Sequence, residues 1–354
     1  MTQRNDMGTK ARKTTGAVLV FLFFVAGSLA LAALLGLTWL DSPAPALPPE
    51  GALFTVRDGD SARAIARRLH DESLIRSEEV FLLLLKAKNL DQDLKAGVYD
   101  IRPGMGSSAI MELIASGKQV MRKLVVPEGA VLRVVAERAA EAGIAQPEDF
   151  LAKTRDPELL AELGIASSSF EGYLFPDTYF LPPDAGADVL IRMMVDTFRS
   201  RLEKTLPEAQ KLSPEELQRY VTVASIVERE YRVPDEAPLM ASVFWNRVRI
   251  GMGLQSCATV VYIITERMGR PHPERLYDRD LQIVDPYNTY KYAGLPPTPI
   301  CSPGLTALAA AFRPAQTDYL YFRLVDEAAG THSFSETLDE HIRSASLYVK
   351  PRNP

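Results

Sequence analysis

The sequence predicts an α+β protein: an N-terminal transmembrane helix, a small β-α-α-β-α module, and a larger mixed α+β domain. Three observations carry that expectation. A long uncharged run lies near the N-terminus, strand-turn-helix segments recur after it, and helical stretches then alternate with short strands. A chain of 354 residues has room for two compact domains. With 47% hydrophobic and 24% charged residues it is not a disordered chain, and a formal net charge of −5 leaves no polycationic footprint for nucleic acid.

The run Ala17–Leu40, "AVLVFLFFVAGSLALAALLGLTWL", has 24 uncharged residues, enough for a helix to cross a hydrocarbon core of ~30 Å. Arg4, Lys10, Arg12 and Lys13 precede it, whereas Asp41 and Glu50 follow. That asymmetry places residues 1–16 as a cytoplasmic tail, 17–40 as the membrane helix, and the rest outside, with Trp39 at the interface. A cleaved signal peptide is the competing reading, since Ala44-Pro-Ala46 loosely resembles a cleavage site. The apolar run exceeds the usual core of such a peptide, so an uncleaved anchor is expected.

Residues 41–51, "DSPAPALPPEG", read as a Pro-rich extended spacer holding the folded part off the membrane. A faint repeat follows: "FTVRDGDSARAIARRL", "YDIRPGMGSSAIMELI" and "LVVPEGAVLRVVAERA" each read as strand, Gly-containing turn and helix. Ile65, Ile110 and Val135 stand six residues after the turn glycines Gly59, Gly104 and Gly129. Between the first two copies, "SEEVFLLLLKAKN" is a helix capped by Ser77. Residues 52–120 therefore form the β-α-α-β-α module. Glycan-binding modules of the LysM type share this order; on topology alone, a packing or spacing role is equally open.

Residues 121–354 make up the larger domain. "DYLYFRLVDEAAGTHSFS" reads as a hairpin around Ala329-Gly330, and "DPYNTYKYAGLPPTPICSPG" as an irregular loop, either tightly packed or in contact with a ligand. The two cysteines, Cys257 and Cys301, allow either a disulfide or two unpaired side chains. Neither they nor the four histidines show metal-ligand spacing, so no metal or other cofactor is expected.

The informative helix begins at "SPEE". Ser213 is its N-cap, Pro214 its first residue, and Glu216 completes a capping box. It extends to Tyr231 through "VTVASIVEREY", which places Glu228 at the edge of an apolar stripe. Desolvation raises the pKa of such a carboxyl, and an acid still protonated near neutrality can protonate a departing sugar oxygen. The alternative is a structural glutamate paired with Arg229, Arg247 or another arginine. Glycosidases ordinarily use two carboxylates, for which Glu171, Asp177, Glu230 and Asp285 are candidates. A one-carboxyl scheme also exists, in which the same group protonates the glycosidic oxygen and then deprotonates the sugar's C6 hydroxyl to close an anhydro ring.

The motifs "FEGYLFPDTY", "ASIVERE", "VFWNRVRIGMGLQS", "PYNTYKYAGLPPTPI", "SPG", and "YLYF" with "THSF" resemble, in this order, the YceG-like endolytic murein transglycosylases. The resemblance covers nearly all of the chain after the apolar run. It implies an inner-membrane protein with a LysM-like module and a catalytic region facing the periplasm. It also implies cleavage of the MurNAc-β-1,4-GlcNAc bond in nascent peptidoglycan, leaving 1,6-anhydro-MurNAc ends and terminating strand elongation. The family's catalytic glutamate falls on Glu228. Asn246, Arg247, Gln255, Ser256, Asn288, Thr289 and Tyr290 match segments expected to line the glycan groove, and Tyr173 and Tyr179 are candidates for stacking on sugars.

One departure stands out. Where the family commonly has Asp-Pro after "LQS", this chain has Cys257-Ala258, so that aspartate is not expected to be essential, and Cys301 gains a possible disulfide partner. The implied partners are peptidoglycan glycan strands and the membrane, with peptidoglycan synthases compatible. A hydrolytic muramidase or a non-catalytic, membrane-tethered glycan-binding scaffold are the rival readings.

Overall fold

Helices dominate the chain, and its strands pair as separate two-stranded antiparallel sheets, giving a mixed α+β architecture. The structure, a computed structural model, describes residues 6–45 and 47–348, with side chains from Phe21 onward. Arg4 and the side chains of Lys10, Arg12 and Lys13 of the expected cytoplasmic tail, and Ala46 of the candidate cleavage site, lie outside that description. The chain divides into two compact units, Met1–Val120 and Met121–Pro354.

The first unit starts with helix α1 (Asp6–Asp41). Its segment Phe21–Asp41 is apolar and 21 residues long, which at 1.5 Å per residue spans about 31 Å. Then come β1 (Ala52–Val56), α2 (Ala62–Asp71), α3 (Glu78–Lys88), β2 (Gly97–Ile101) and α4 (Ser107–Ser116). β1 and β2 pair with Phe54 opposite Tyr99, and both rings are buried among Ile65, Leu69, Phe81, Leu85 and Ile110. The Pro-rich segment makes contacts with the module that follows it. The carboxylate of Asp41 accepts hydrogen bonds from Ser108 N–H and Oγ, capping α4 where Gly106 has no side chain to do so, and Leu47 packs on the module core.

The strand-turn-helix repeat is a repeat of geometry. Gly59, Gly104 and Gly129 all have positive φ, and the helix after each begins three residues later and runs for 10 residues. Ile65, Ile110 and Val135 are each fully buried. The third copy belongs to the second unit, where β3 (Arg122–Val125) leads through Gly129 into α5 (Leu132–Glu141).

The second unit continues with α6 (Pro147–Lys153), α7 (Pro157–Glu162), β4 (Thr178–Leu181), α8 (Ala187–Thr205), α9 (Pro214–Glu230), α10 (Ala237–Arg249), α11 (Cys257–Tyr262), α12 (Leu305–Phe312), β5 (Tyr321–Asp326), β6 (Thr331–Ser335) and α13 (Leu338–Arg343). β3 pairs with β4, and β5 with β6 around Gly330. α9 starts at its capping box, Ser213 with Glu216, as read from the sequence. Its middle has no solvent face: Val221 through Val227 are all buried, with α10, α11 and α12 packed around the helix. Thr222 and Ser225 remain satisfied there by donating to the carbonyls of Gln218 and Thr222 in their own helix. Tyr173 and Tyr179 are core residues. Tyr173 packs edge-on against Phe198, and the Tyr179 hydroxyl donates to the Phe175 carbonyl.

Candidate active site

Glu228 lies in the last turn of α9, where the apolar centre of the helix gives way to its exposed end. Its Oε2 accepts one hydrogen bond, 2.9 Å from the backbone N–H of Gly304, the residue that caps α12. The other oxygen has no protein partner among the described residues. Burial pushes the carboxyl up to about 7; the Gly304 N–H and Arg229 pull it down, while the Glu128 carboxylate pushes it further up. The salt-bridge alternative fails. Arg229 donates to the Gly129 carbonyl, and Arg247 is committed to carbonyls elsewhere.

Two segments distant in sequence build the rest of the site. The Glu128-Gly129 turn is tied to Ser302 by paired backbone hydrogen bonds, Gly129 N–H to Ser302 O at 2.9 Å and Ser302 N–H to Ala130 O at 2.8 Å. This brings Glu128 against Gly304, where any Cβ would collide with its carboxylate, so the missing side chain lets the two meet. Tyr231 completes the cluster. Burial, then the charges of Glu228 and Glu128, raise its hydroxyl to about 12, and Thr306 in the first turn of α12 opposes them. Glu128, Tyr231, Gly304 and Thr306 were not singled out by the sequence reading, although the "PEG" turn and the "SPG" motif contain two of them.

The carboxylates suggested as a second acid are engaged elsewhere. Asp177 pairs with Arg201 and Asp285 with Arg267, each at 2.7 Å. Glu230 accepts from Ser256 Oγ, on the residue just before α11, at 2.5 Å; burial raises its pKa. Glu171 is buried, and its Oε2 faces the Leu132 N–H at the start of α5 and the Tyr262 hydroxyl, each at 3.4 Å. Its Oε1 has no partner, and burial raises the group to about 8.

Most residues expected to line the groove turn inward. Asn288 is fully buried and donates to the carbonyls of Leu281 and Ile283, holding the irregular loop together. Asn246 donates to Thr317 and Tyr319, and Arg247 to Gly253, Leu254 and Leu320 while stacking over Tyr321. Thr289 receives the Ser256 N–H. Only Gln255 and Tyr290 of this set keep surface, and Gln255 adopts φ 50°, a left-handed conformation uncommon outside glycine. Of these residues Ser256 bonds Glu230, and none is a hydrogen-bond partner of Glu228.

The thiols are not bonded to each other. Cys257 is exposed, with its sulfur 3.1 Å from the Tyr290 hydroxyl, whereas Cys301 is buried with its sulfur 3.2 Å from the Ser225 carbonyl. They belong to separate environments, one exposed and one buried.

Comparison with known proteins matches the model of the YceG-like family over residues 54–346. The chain belongs to the YceG-like family. An endolytic murein transglycosylase of Bacillus subtilis is 32% identical over 323 residues, covering 85% of each chain. One of Streptococcus pneumoniae is 28% identical over 84% of this chain and 58% of its own. The crystal structure of a YceG-like protein from Listeria monocytogenes superposes with a TM-score of 0.54 at 33% identity, covering 84% of this chain and 99% of that one. Within this YceG-like chain, the "PEG" turn, the end of α9 and the "SPG" segment form one acidic cluster around a half-buried carboxyl.

Proposed function

We propose that this chain is a membrane-anchored endolytic lytic transglycosylase acting on peptidoglycan, with Glu228 as its catalytic acid and base. The observation that carries the reading is a carboxyl with a pKa near 7, one oxygen held by the Gly304 N–H and the other open. Membership of a family whose relatives are named endolytic murein transglycosylases supports it.

In the first step Glu228 transfers its proton to the oxygen of the MurNAc-β-1,4-GlcNAc bond as the bond from C1 to that oxygen breaks. The resulting carboxylate, stabilised by the Gly304 N–H, then takes the proton of the C6 hydroxyl. The C6 oxygen closes on C1 and leaves a 1,6-anhydro-MurNAc end. No water is consumed, and Glu228 regains its proton. Holding the C6 hydroxyl close to C1 supplies much of the rate, because the nucleophile belongs to the same sugar.

Around that site, residues 17–40 anchor the chain in the inner membrane, with residues 1–16 in the cytoplasm and residues 121–354 as the extracytoplasmic catalytic domain. Residues 52–120 act as a LysM-like module that orients or binds glycan, and Gln255 and Tyr290 contribute to its binding surface on the catalytic domain. Cutting nascent strands beside peptidoglycan synthases would terminate their elongation.

One observation favours a second reading. Glu128 stands close enough to Glu228 to be the second carboxylate of a hydrolytic muramidase. Digestion of purified glycan strands distinguishes the two by product mass, since hydrolysis adds a water and anhydro formation does not. Wild-type protein is expected to give anhydro ends, and Glu228→Gln to keep the fold but release no product. Hydrated ends would establish the muramidase, and an active Glu228→Gln would remove Glu228 from the chemistry.

A further inference from the structure

A cavity of about 540 Å³ opens beside the acid, between the Gly129 turn and α11 with the loop that follows it. Gly129 lines it, and a Cβ on that residue would stand 3.7 Å from Glu228 Cγ, so Gly129 alone separates the cavity from that side chain, while the next residue of α9, Arg229, lines the cavity itself. Its walls are partly apolar, with Val131 and Val261, and partly cationic, with Arg133, Arg229 and Arg270; His272 adds an imidazole, and Glu266 is its acidic residue.

The charge balance is unusual for this molecule. Three arginines face one glutamate in a chain of net charge −5. Arg133 is engaged with Glu266 and Glu137, whereas Arg229 spends one N–H on the Gly129 carbonyl and, like Arg270, pairs with no carboxylate among the described residues. Guanidinium forks left unpaired beside apolar walls match a ligand that carries carboxylates and small aliphatic groups.

We propose that this cavity receives the carboxylate-bearing peptide stem carried by the sugar being cut. The inference rests on the transglycosylase reading and deepens it. In murein the stem leaves the lactyl ether at C3 of the same MurNAc ring whose C1–oxygen bond is broken, so a sugar placed against Glu228 projects its stem within a few ångströms of that carboxyl. The alanine methyl nearest the sugar suits Val131 and Val261, and the acidic groups farther out suit Arg229, Arg270 and His272. The enzyme would then select strands that still bear free, ionised stems.

The test uses the detergent-solubilised full chain and three substrates: uncrosslinked stem-bearing strands, the same strands with stem carboxylates converted to methylamides, and strands stripped of stems by an amidase. Wild-type KM should be about tenfold higher for the amidated than for the native strands, the loss expected for a charge-assisted contact at a solvent-facing site. In the double variant Arg270→Ala/His272→Ala that ratio should fall to near one, with Arg270→Lys/His272→Ala intermediate. Both side chains are exposed, and an unchanged circular dichroism melt verifies folding. Equal wild-type KM values for native and amidated strands, or a double variant that keeps the wild-type ratio, overturn the proposal. Stripped strands that bind as tightly as stem-bearing ones overturn it too, by assigning the cavity to the lactyl carboxylate. Failure of the functional reading looks different, because then no substrate is cut at all.

Discussion

Replacing Glu128 by glutamine removes a negative charge while keeping the side chain's size, and the consequence can be worked from the geometry. The Glu128 carboxylate lies against Gly304, whose nitrogen is 2.9 Å from Glu228 Oε2, so with ordinary backbone bond lengths the two carboxylates stand within about 7 Å. Coulomb's law at that separation gives about 2.4 kcal/mol for an effective dielectric near 20, and about 0.6 kcal/mol in bulk water. Glu128 is exposed, so screening favours the lower half of that range, and the Glu228 pKa should fall by roughly one, from about 7 towards 6.

The sign follows from the role of the proton. In the proposed reaction Glu228 acts first as an acid, so activity is present below its pKa and declines as pH rises through it. In Glu128→Gln that alkaline decline should begin about one pH unit earlier. At pH 7 the protonated fraction drops from about one half to about one tenth, a fivefold loss of rate, whereas at pH 5 the two proteins should differ little. Rates of product release from purified glycan strands between pH 4.5 and 9 measure this. An alkaline limb that stays in place refutes the electrostatic coupling. A loss of several orders of magnitude at every pH refutes the one-carboxyl scheme, because it would make Glu128 an obligatory partner, as in a hydrolase.

Three other outcomes follow from buried groups. Glu171 is raised to about 8, so the stability it contributes is complete below the ordinary carboxylate range and is lost as pH rises through about 8. The melting temperature should therefore fall between about pH 5 and pH 8 and level off above it, and Glu171→Gln should flatten that slope; parallel melting curves would show that Glu171 is not protonated in the folded chain. Arg247→Ala leaves the carbonyls of Gly253, Leu254 and Leu320 without their donor and should cost about 2–4 kcal/mol in urea unfolding, whereas a change under 1 kcal/mol would mean water replaces the guanidinium. In thiol titration of the native chain only Cys257 should react promptly, with Cys301 appearing after denaturation; two inert sulfurs would indicate a disulfide instead.

The parts of this protein legible in its sequence are those written by neighbours in the chain. The capping box of α9 lies within four residues, and the strand-turn-helix repeat needs only a glycine and an apolar residue six positions later, so both were readable and both are present. Glu228 was readable because an acid among valines and alanines is locally anomalous. Glu128 was not, because its significance arises only when the turn before α5 and the segment before α12 pair through Gly129 and Ser302 and converge on the end of α9. The groove residues misled for a related reason. An irregular loop leaves many backbone carbonyls without a ladder to join, and the amides and guanidinium that looked suited to sugars, in Asn246, Arg247 and Asn288, are consumed by those carbonyls. The contacts of the Pro-rich segment were not readable, because composition describes stiffness but not docking, and Asp41 serves as the cap that α4 lacks.

A reaction in which one carboxyl must first give a proton and then take one back constrains its acidity from both sides. At an ordinary carboxylate pKa, Glu228 would be a competent base but almost never a protonated acid at neutral pH. Driven far higher, it would hold its proton but resist losing it to the glycosidic oxygen. The structure sets the balance with opposed contributions from different parts of the chain. Burial at the end of α9 and the Glu128 carboxylate favour the protonated form; the Gly304 N–H at the start of α12 and the nearby Arg229 favour the ionised one. None of these groups needs to touch the substrate to matter. The Gly304 N–H contributes most when the carboxyl is ionised, between the two proton transfers, and so stabilises the enzyme form that must wait for the C6 hydroxyl. A second carboxylate beside a catalytic acid is therefore not by itself the signature of a hydrolase, because here it also serves to keep the first one protonated.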